Sequence, residues 1–302
     1  MKRKTVWWLG GLTAAGALAA ALSRYLRKQR LEAWYTHMRR HYPLTALVTG
    51  ASSGIGEAYA RKLASFGYNL VLVARREARL HALATEFRQK YGVQAEVLPA
   101  DLSTEAGIAR VEQRIVGGDD IDFLINNAGY GLVGNFAETP IEQTQALLAC
   151  HVLASLRLCR AALPGMIHRQ RGAIVNVASV AAFVPKAQDG TYGALKAFLL
   201  SFSQSLALEL AGTPIRVQAL CPGFTRTGFH DHPEYIRRKV KQRIPAWLWM
   251  NSEPVVTASL RALGENEVVC VPGWHNRLIV AATRFGLTNW LLTSVYHFLS
   301  QR

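Results

Sequence analysis

Residues 191–197 read TYGALKA, which sets Tyr192 four positions before Lys196. On a helix that spacing is about one turn, so the two side chains share a face. Alone, both groups are poor acid–base catalysts near neutrality, with free pKa values of about 10 and about 10.4. Together they differ: a protonated lysine beside a phenol favours the phenolate and moves the tyrosine toward the range in which protons are readily exchanged. Helices also contain such pairs for no chemical reason, so the rest of the chain has to decide. Ser179 lies upstream of the pair and ends an apolar run, GAIVNVAS at 172–179.

Those residues need elements to bring them together. Seven short runs read as strands buried on both faces: residues 44–49, 68–74, 95–103, 122–129, 172–179, 215–223 and 267–273. Helical patterns separate nearly all of them. Alternating strand and helix predicts an α/β fold, a Rossmann-type doubly wound parallel sheet of about seven strands in a single domain. Ligands of such sheets bind beyond the carboxyl ends of the strands. Ser179, Asn127, Ala128, Gly129, Pro222 and Gly223 all fall there, and Tyr192 and Lys196 follow on the next helix.

The turn after the first run is GASSGIG at 50–56, followed by a helical pattern that stops at Gly67. Gly50 permits the tight turn, and Gly54 and Gly56 allow close backbone approach. The helix then offers free N–H groups and a partial positive charge to a phosphate. The spacing is G-x-x-x-G-x-G, which differs from the common G-x-G-x-x-G dinucleotide fingerprint. The second run ends in Ala74 and is followed by Arg75 and Arg76, where an NAD-type site wants a carboxylate for the ribose hydroxyls. A guanidinium there suits a 2′-phosphate instead, which points to NADP(H). A solvated arginine pair opening a helix is the competing reading. Asp101 suits either the adenine amino group or the cap of the following helix.

The chain has 302 residues, half of them hydrophobic, and a formal net charge of +15. That composition describes a globular body. The positive charge sits at residues 2–4, 24–30, 39–40 and 237–243, mostly around an uncharged run, VWWLGGLTAAGALAAAL at 6–22. This placement suits a membrane surface rather than nucleic acid. An uncleaved anchor, a signal peptide and an interfacial helix all fit the run, and the anchor with a cytoplasmic body is the expected arrangement. Cys150, Cys159, Cys221 and Cys270 form no CxxC pair and read as reduced and buried. Residues 1–40 are taken as anchor and basic linker, 41–275 as the domain, and 276–302 as an apolar tail.

Read in order, TGASSGIG (49–56), NNAG (126–129), Ser179, YGALK (192–196) and PGFTRT (222–227) resemble the short-chain dehydrogenase/reductase family across about residues 44–272. The resemblance implies an oxidoreductase acting on CH–OH and C=O, with NADP(H) as cofactor because Arg75 resembles the NADP-preferring members. The implied cofactor residues are Gly50, Ser52, Ser53, Gly54, Ile55, Gly56, Arg75, Asp101, Leu102, Asn127, Ala128, Gly129, Tyr192, Lys196, Pro222, Gly223 and Thr225. Tyr192 is then the proton donor or acceptor, Ser179 holds the substrate oxygen, and Lys196 lowers the tyrosine pKa and holds the nicotinamide ribose. The N-terminal run and chain length are similar to those of membrane-bound hydroxysteroid and long-chain acyl reductases in the family. A lipophilic carbonyl or alcohol is therefore the expected substrate. Relatives pair the helices at 142–167 and 191–211 into dimers or tetramers, so the resemblance allows a homodimer, which a membrane anchor could alter.

The chain departs from the family pattern at His151, where the resemblance predicts an asparagine that holds a relay water. With an ordinary pKa near 6.5, a histidine could hold the water or carry the proton itself; a packed ring is the plain alternative. An impaired relay would leave a cofactor-binding or scaffold protein. His230 and His232 lack companion ligands, so no metal site is expected. In the substrate loop, about 224–253, Ile236, Val240, Ile244 and Trp247 recur at helical spacing among basic residues. That pattern suits a membrane interface, a lid over a greasy substrate, or core.

Overall fold

The computed structural model describes residues 25, 44–118, 120–184, 190–231, 236 and 240–283. The run at 6–22, His232 and the tail beyond 283 lie outside them.

Alternation along the strands builds a sheet with two buried faces. In β1 (Thr45–Thr49), Ala46 and Val48 join a cluster with Tyr59, Leu80 and Phe87, while Leu47 joins another with Ile108, Leu158 and Met166. In β2 (Asn69–Ala74), Leu70 and Leu72 oppose Val71 and Val73 in the same way. Burying each such side chain contributes roughly 1.5–3 kcal/mol. β3 (Ala95–Pro99), β4 (Ile121–Asn126), β5 (Ala173–Val177) and β6 (Arg216–Leu220) follow. A short parallel pair comes next, β7 (Thr225–Arg226) with β8 (Met250–Asn251), and β9 (Val269–Cys270) closes the large sheet. The seven-stranded sheet is parallel in the order β3-β2-β1-β4-β5-β6-β9. Strand order reverses between β1 and β4, which opens a crevice at their carboxyl ends.

The helices are α1 (Gly54–Ser65), α2 (Glu77–Tyr91), α3 (Glu105–Gly118), α4 (Ile141–Leu148), α5 (Ala154–His168), α6 (Gly190–Glu209), α7 (Ser252–Gly264) and α8 (Trp274–Thr283). α1, α2 and α7 cover one face of the sheet, and α3, α5 and α6 cover the other. Among the described residues, Ile141–His168 is the helical stretch apolar enough to cross a membrane, yet its Leu147, Leu158 and Met166 are buried in the body. The four cysteines are free and buried.

The expected Rossmann-type sheet is present. The β7–β8 pair was not foreseen, because two-residue strands carry no period. Ile236 and Trp247 are each 62% exposed, so core does not describe them. Among the described residues of the loop, a 3-10 turn at Gly228–Asp231 and a short helix at Val240–Arg243 precede a 3-10 turn at Ala246–Leu248 that Pro245 opens. α8 runs across residue 275, and buried Asn276 and Val280 tie it to the body.

Candidate active site

The crevice begins with a stitched pair of loops. Thr49 Oγ1 donates to Ile125 O at 3.1 Å and accepts from the amides of Asn127 and Ala128, both at 2.9 Å. Asn127 Nδ2 donates to Thr49 O at 2.9 Å. Gly50 has φ +66°, and a Cβ there would come within 2.6 Å of Asn127 Nδ2 and 3.0 Å of Ala128 Cα. A Cβ on Gly56 would come within 2.3 Å of Gly50 O. Glycine is therefore required for the turn, its loop and α1 to close on one another.

Ser53, the N-cap of α1, makes no side-chain cap bond. The first-turn amides keep their partial positive charge for a ligand, which fits the phosphates of a dinucleotide. Ile55 is half-buried against the core and Leu102 is buried.

β2 ends in Ala74, with no carboxylate. Arg75 is exposed and its Nη1 lies 3.8 Å from Asp101 Oδ2. Arg76 folds onto the glycine turn, where Nη2 donates to Ser52 Oγ at 3.0 Å and to Ser52 O at 3.2 Å. Asp101 accepts from Ser103 N at 3.0 Å and Ser103 Oγ at 2.7 Å, so it takes a turn-capping role. Partial burial acts to raise its pKa, but the Ser103 bonds and the Arg75 charge outweigh that and hold the carboxyl below its usual range.

The reactive groups gather on the other side of β4. Asn126 donates to Asn176 Oδ1 at 2.8 Å, and Asn176 donates to Ser203 Oγ at 3.0 Å. These buried bonds tie β4 and β5 to α6, which carries Tyr192 and Lys196. Lys196 is buried and donates to Val177 O at 2.6 Å. Burial pulls its ammonium down to about 8. Its Nζ lies 5.5 Å from the centre of the Tyr192 ring. Ser179, just past β5, accepts from Ala181 N at 3.1 Å, and Val180 N donates to Pro222 O at 3.0 Å. The ends of β5 and β6 are thereby joined beside the tyrosine.

His151 lies in a π-helical turn, Ala149–Leu153, between α4 and α5. Such turns often mark functional positions. The ring is buried edge-on to Tyr192, with centroids 5.8 Å apart. Nε2 lies 3.1 Å from Tyr130 N and 2.9 Å from Tyr130 O, the tautomer deciding which bond forms. Nδ1 has no partner among the described residues. Burial, and then the Lys196 charge, push the His151 pKa well below its ordinary value. A shift in that direction favours the neutral ring near pH 7. Gly129 makes room for it, since a Cβ would meet the ring at 2.3 Å.

The remaining expected residues line the rim. Pro222 is buried, and a Cβ on Gly223 would meet Asn276 Oδ1 at 2.2 Å. Thr225 Oγ1 donates to Gly223 O at 3.0 Å. Tyr192 also meets Phe229 at 5.7 Å, and a Cβ on Gly54 would meet Thr227 Cγ2 at 2.8 Å. A cleft of about 410 Å³ adjoins, lined by Arg226, Thr227, Lys241, Ile244, Ala246 and Trp249. A larger cleft, about 560 Å³, lies at the amino ends of β1–β3 and holds none of these groups. Sequence reasoning named Arg76 and Thr49 without assigning them a site role, and passed over Phe229 and Asn276. Arg76 had a signal in standing beside Arg75; Asn276 had none.

Residues 44–234 match the short chain dehydrogenase family. A very-long-chain 3-oxoacyl-CoA reductase of Phaeosphaeria nodorum is 32% identical over 265 residues, spanning 85% of this chain and 72% of that protein. A short-chain dehydrogenase from Sphingobium yanoikuyae, solved in complex with NADPH, has a TM-score of 0.72 at 38% identity, covering 86% of this chain and 96% of its own. A short chain dehydrogenase/reductase from Burkholderia phymatum, solved in complex with NAD, has a TM-score of 0.70 at 26% identity, covering 83% of this chain and 95% of its own. With that match over more than half its length and a sheet of the expected order, the chain belongs to the short-chain dehydrogenase/reductase family, carbonyl/alcohol oxidoreductases that bind a nicotinamide cofactor.

Proposed function

We propose that this chain is an NADP(H)-dependent oxidoreductase that reduces a lipophilic ketone at a membrane surface and oxidises the matching alcohol in reverse. The observation that carries the reading is the burial of Lys196 beside Tyr192, one turn away on α6 and adjacent to the end of β5. The cofactor supplies or accepts the hydride. Tyr192 gives its hydroxyl proton to the carbonyl oxygen in reduction and takes it from the alcohol in oxidation. Ser179 accepts from Ala181 N, which leaves its own O–H to donate to the same oxygen and fix it. Protonated, Lys196 favours the tyrosinate, and one bond to Val177 O leaves it further donors for a ribose. His151 acts as a neutral wedge that orients the Tyr192 ring.

Arg75 and Arg76, beside a strand end without a carboxylate, support NADP(H) over NAD(H) through the 2′-phosphate. Phe229 against Tyr192 and the cleft walls Ile244, Ala246 and Trp249 support an apolar substrate, as does the long-chain acyl relative. The uncharged run at 6–22 anchors the chain, with the body on the cytoplasmic side. Exposed Leu148, Leu153 and Phe198 on α4–α6 support a homodimer.

The test is NADPH oxidation by the full chain in detergent against ketones from small carbonyls to steroids, retinoids and 3-oxoacyl thioesters, with Tyr192→Phe as the blank. Tyrosine-dependent turnover on a lipophilic ketone is the expected result. Cofactor binding without turnover on any of them would favour a non-catalytic binding protein.

A further inference from the structure

The substrate loop and α8 present an outward apolar face. Trp247 is 62% exposed, Trp274 65% and Leu278 60%. Both indoles stand edge-on to the buried His275 ring, at 6.0 Å and 5.8 Å, so the two are parts of one surface. α8 is inverted for a surface helix: Trp274, Arg277, Leu278 and Ala281 occupy its outward side, while His275, Asn276 and Val280 pack inward. A soluble surface helix would place polar residues there.

Basic groups predominate around this face, although Lys241 is paired with the Asp231 carboxylate. As sequence, the substrate loop is basic, with five Lys or Arg and no acid at residues 235–252. Exposed Arg277 stands on the face itself, and the cleft wall residue Arg226 lies over the Trp249 ring at 5.9 Å. Indoles with long cationic side chains match the boundary between acyl chains and headgroups, where aromatic bodies bury and cations meet phosphate. A second protein copy with the same basic face would be repelled.

We propose that the face formed by Trp247, Trp274 and Leu278 docks on an anionic phospholipid surface and sets the mouth of the Ile244–Trp249 cleft against the bilayer. A ketone dissolved in the membrane then reaches the cleft without crossing bulk water. This deepens the reading of a lipophilic substrate, but the docking itself is measured without turnover.

The experiment compares the full chain with its Trp247→Phe/Trp274→Phe variant in vesicles of phosphatidylcholine and phosphatidylserine. The vesicles carry lipid brominated near the headgroup, which quenches indole emission at shallow depth. The expected result is a quenched component in the parent that is lost in the double variant. It shrinks in pure phosphatidylcholine, at high salt and in Lys241→Glu/Arg277→Glu. Equal quenching of parent and double variant would overturn the proposal, as would protection of Trp247 and Trp274 through chain-to-chain cross-links. In a paired assay the double variant raises KM for a membrane-partitioned ketone and leaves KM for a water-soluble one unchanged. Loss of turnover on both ketones with the quenching difference intact would strike the substrate reading and leave the docking face standing.

Discussion

Replacing Lys196 with methionine should abolish turnover and leave the cofactor-free fold as stable as before, or more stable. The lysine is buried, and its pKa falls from 10.5 to about 8. Each pKa unit is worth about 1.4 kcal/mol, so keeping this ammonium charged near pH 7 costs the fold on the order of 3 kcal/mol. Methionine removes that cost but leaves Val177 O without its 2.6 Å donor, a loss of about 1–3 kcal/mol. Lys196→Met should thus range from neutral to about 2 kcal/mol stabilising at pH 7. The pH dependence is the sharper test. The folded-state pKa lies below the unfolded one, so between about 8 and 10.5 the unfolded chain binds more protons. Parent stability therefore rises with pH across that window, and the variant's relative advantage shrinks by on the order of 3 kcal/mol. Guanidinium unfolding of both proteins at pH 7 and near pH 10.5 reads the difference, in which the other titrating groups cancel. A gap that does not change with pH would refute the reasoning.

Other consequences follow from named contacts. Arg75→Ala and Arg76→Ala should each weaken NADPH binding far more than NADH binding in titrations of intrinsic fluorescence; equal losses for the two nucleotides would remove both from the 2′-phosphate. Gly129→Ala should lower kcat, because its Cβ displaces the His151 ring from Tyr192, and overpacking of this kind costs roughly 1–3 kcal/mol. Adding His151→Asn should restore much of the rate, and strictly additive losses would deny the coupling. Asp122, 1% exposed, accepts from Arg171 at 2.8 Å and from Thr45 N at 3.2 Å. Asp122→Ala should therefore cost roughly 3–5 kcal/mol in denaturant unfolding without changing KM in the surviving enzyme.

Features that depend on a few contiguous residues were legible in the chain alone. Seven apolar runs became the parallel sheet because strands buried on both faces must be apolar throughout. The GASSGIG turn was legible because only glycine tolerates the backbone at Gly50 and Gly54 and the approach at Gly56. Tyr192 and Lys196 were legible because helical spacing alone sets them on one face. Features that depend on distant partners emerged only in the folded chain. Arg76, rather than Arg75, meets the glycine turn, because β2 brings it beside Ser52. The His151 pKa is pushed down because packing buries the ring near Lys196 and against Tyr130, a desolvation no residue type announces. Asn276 closes on Gly223, and the indoles of Trp247 and Trp274 meet across His275, only because the fold returns α8 to the end of β6. Periodicity shows that a side chain has a face; what covers that face depends on chain that arrives from elsewhere.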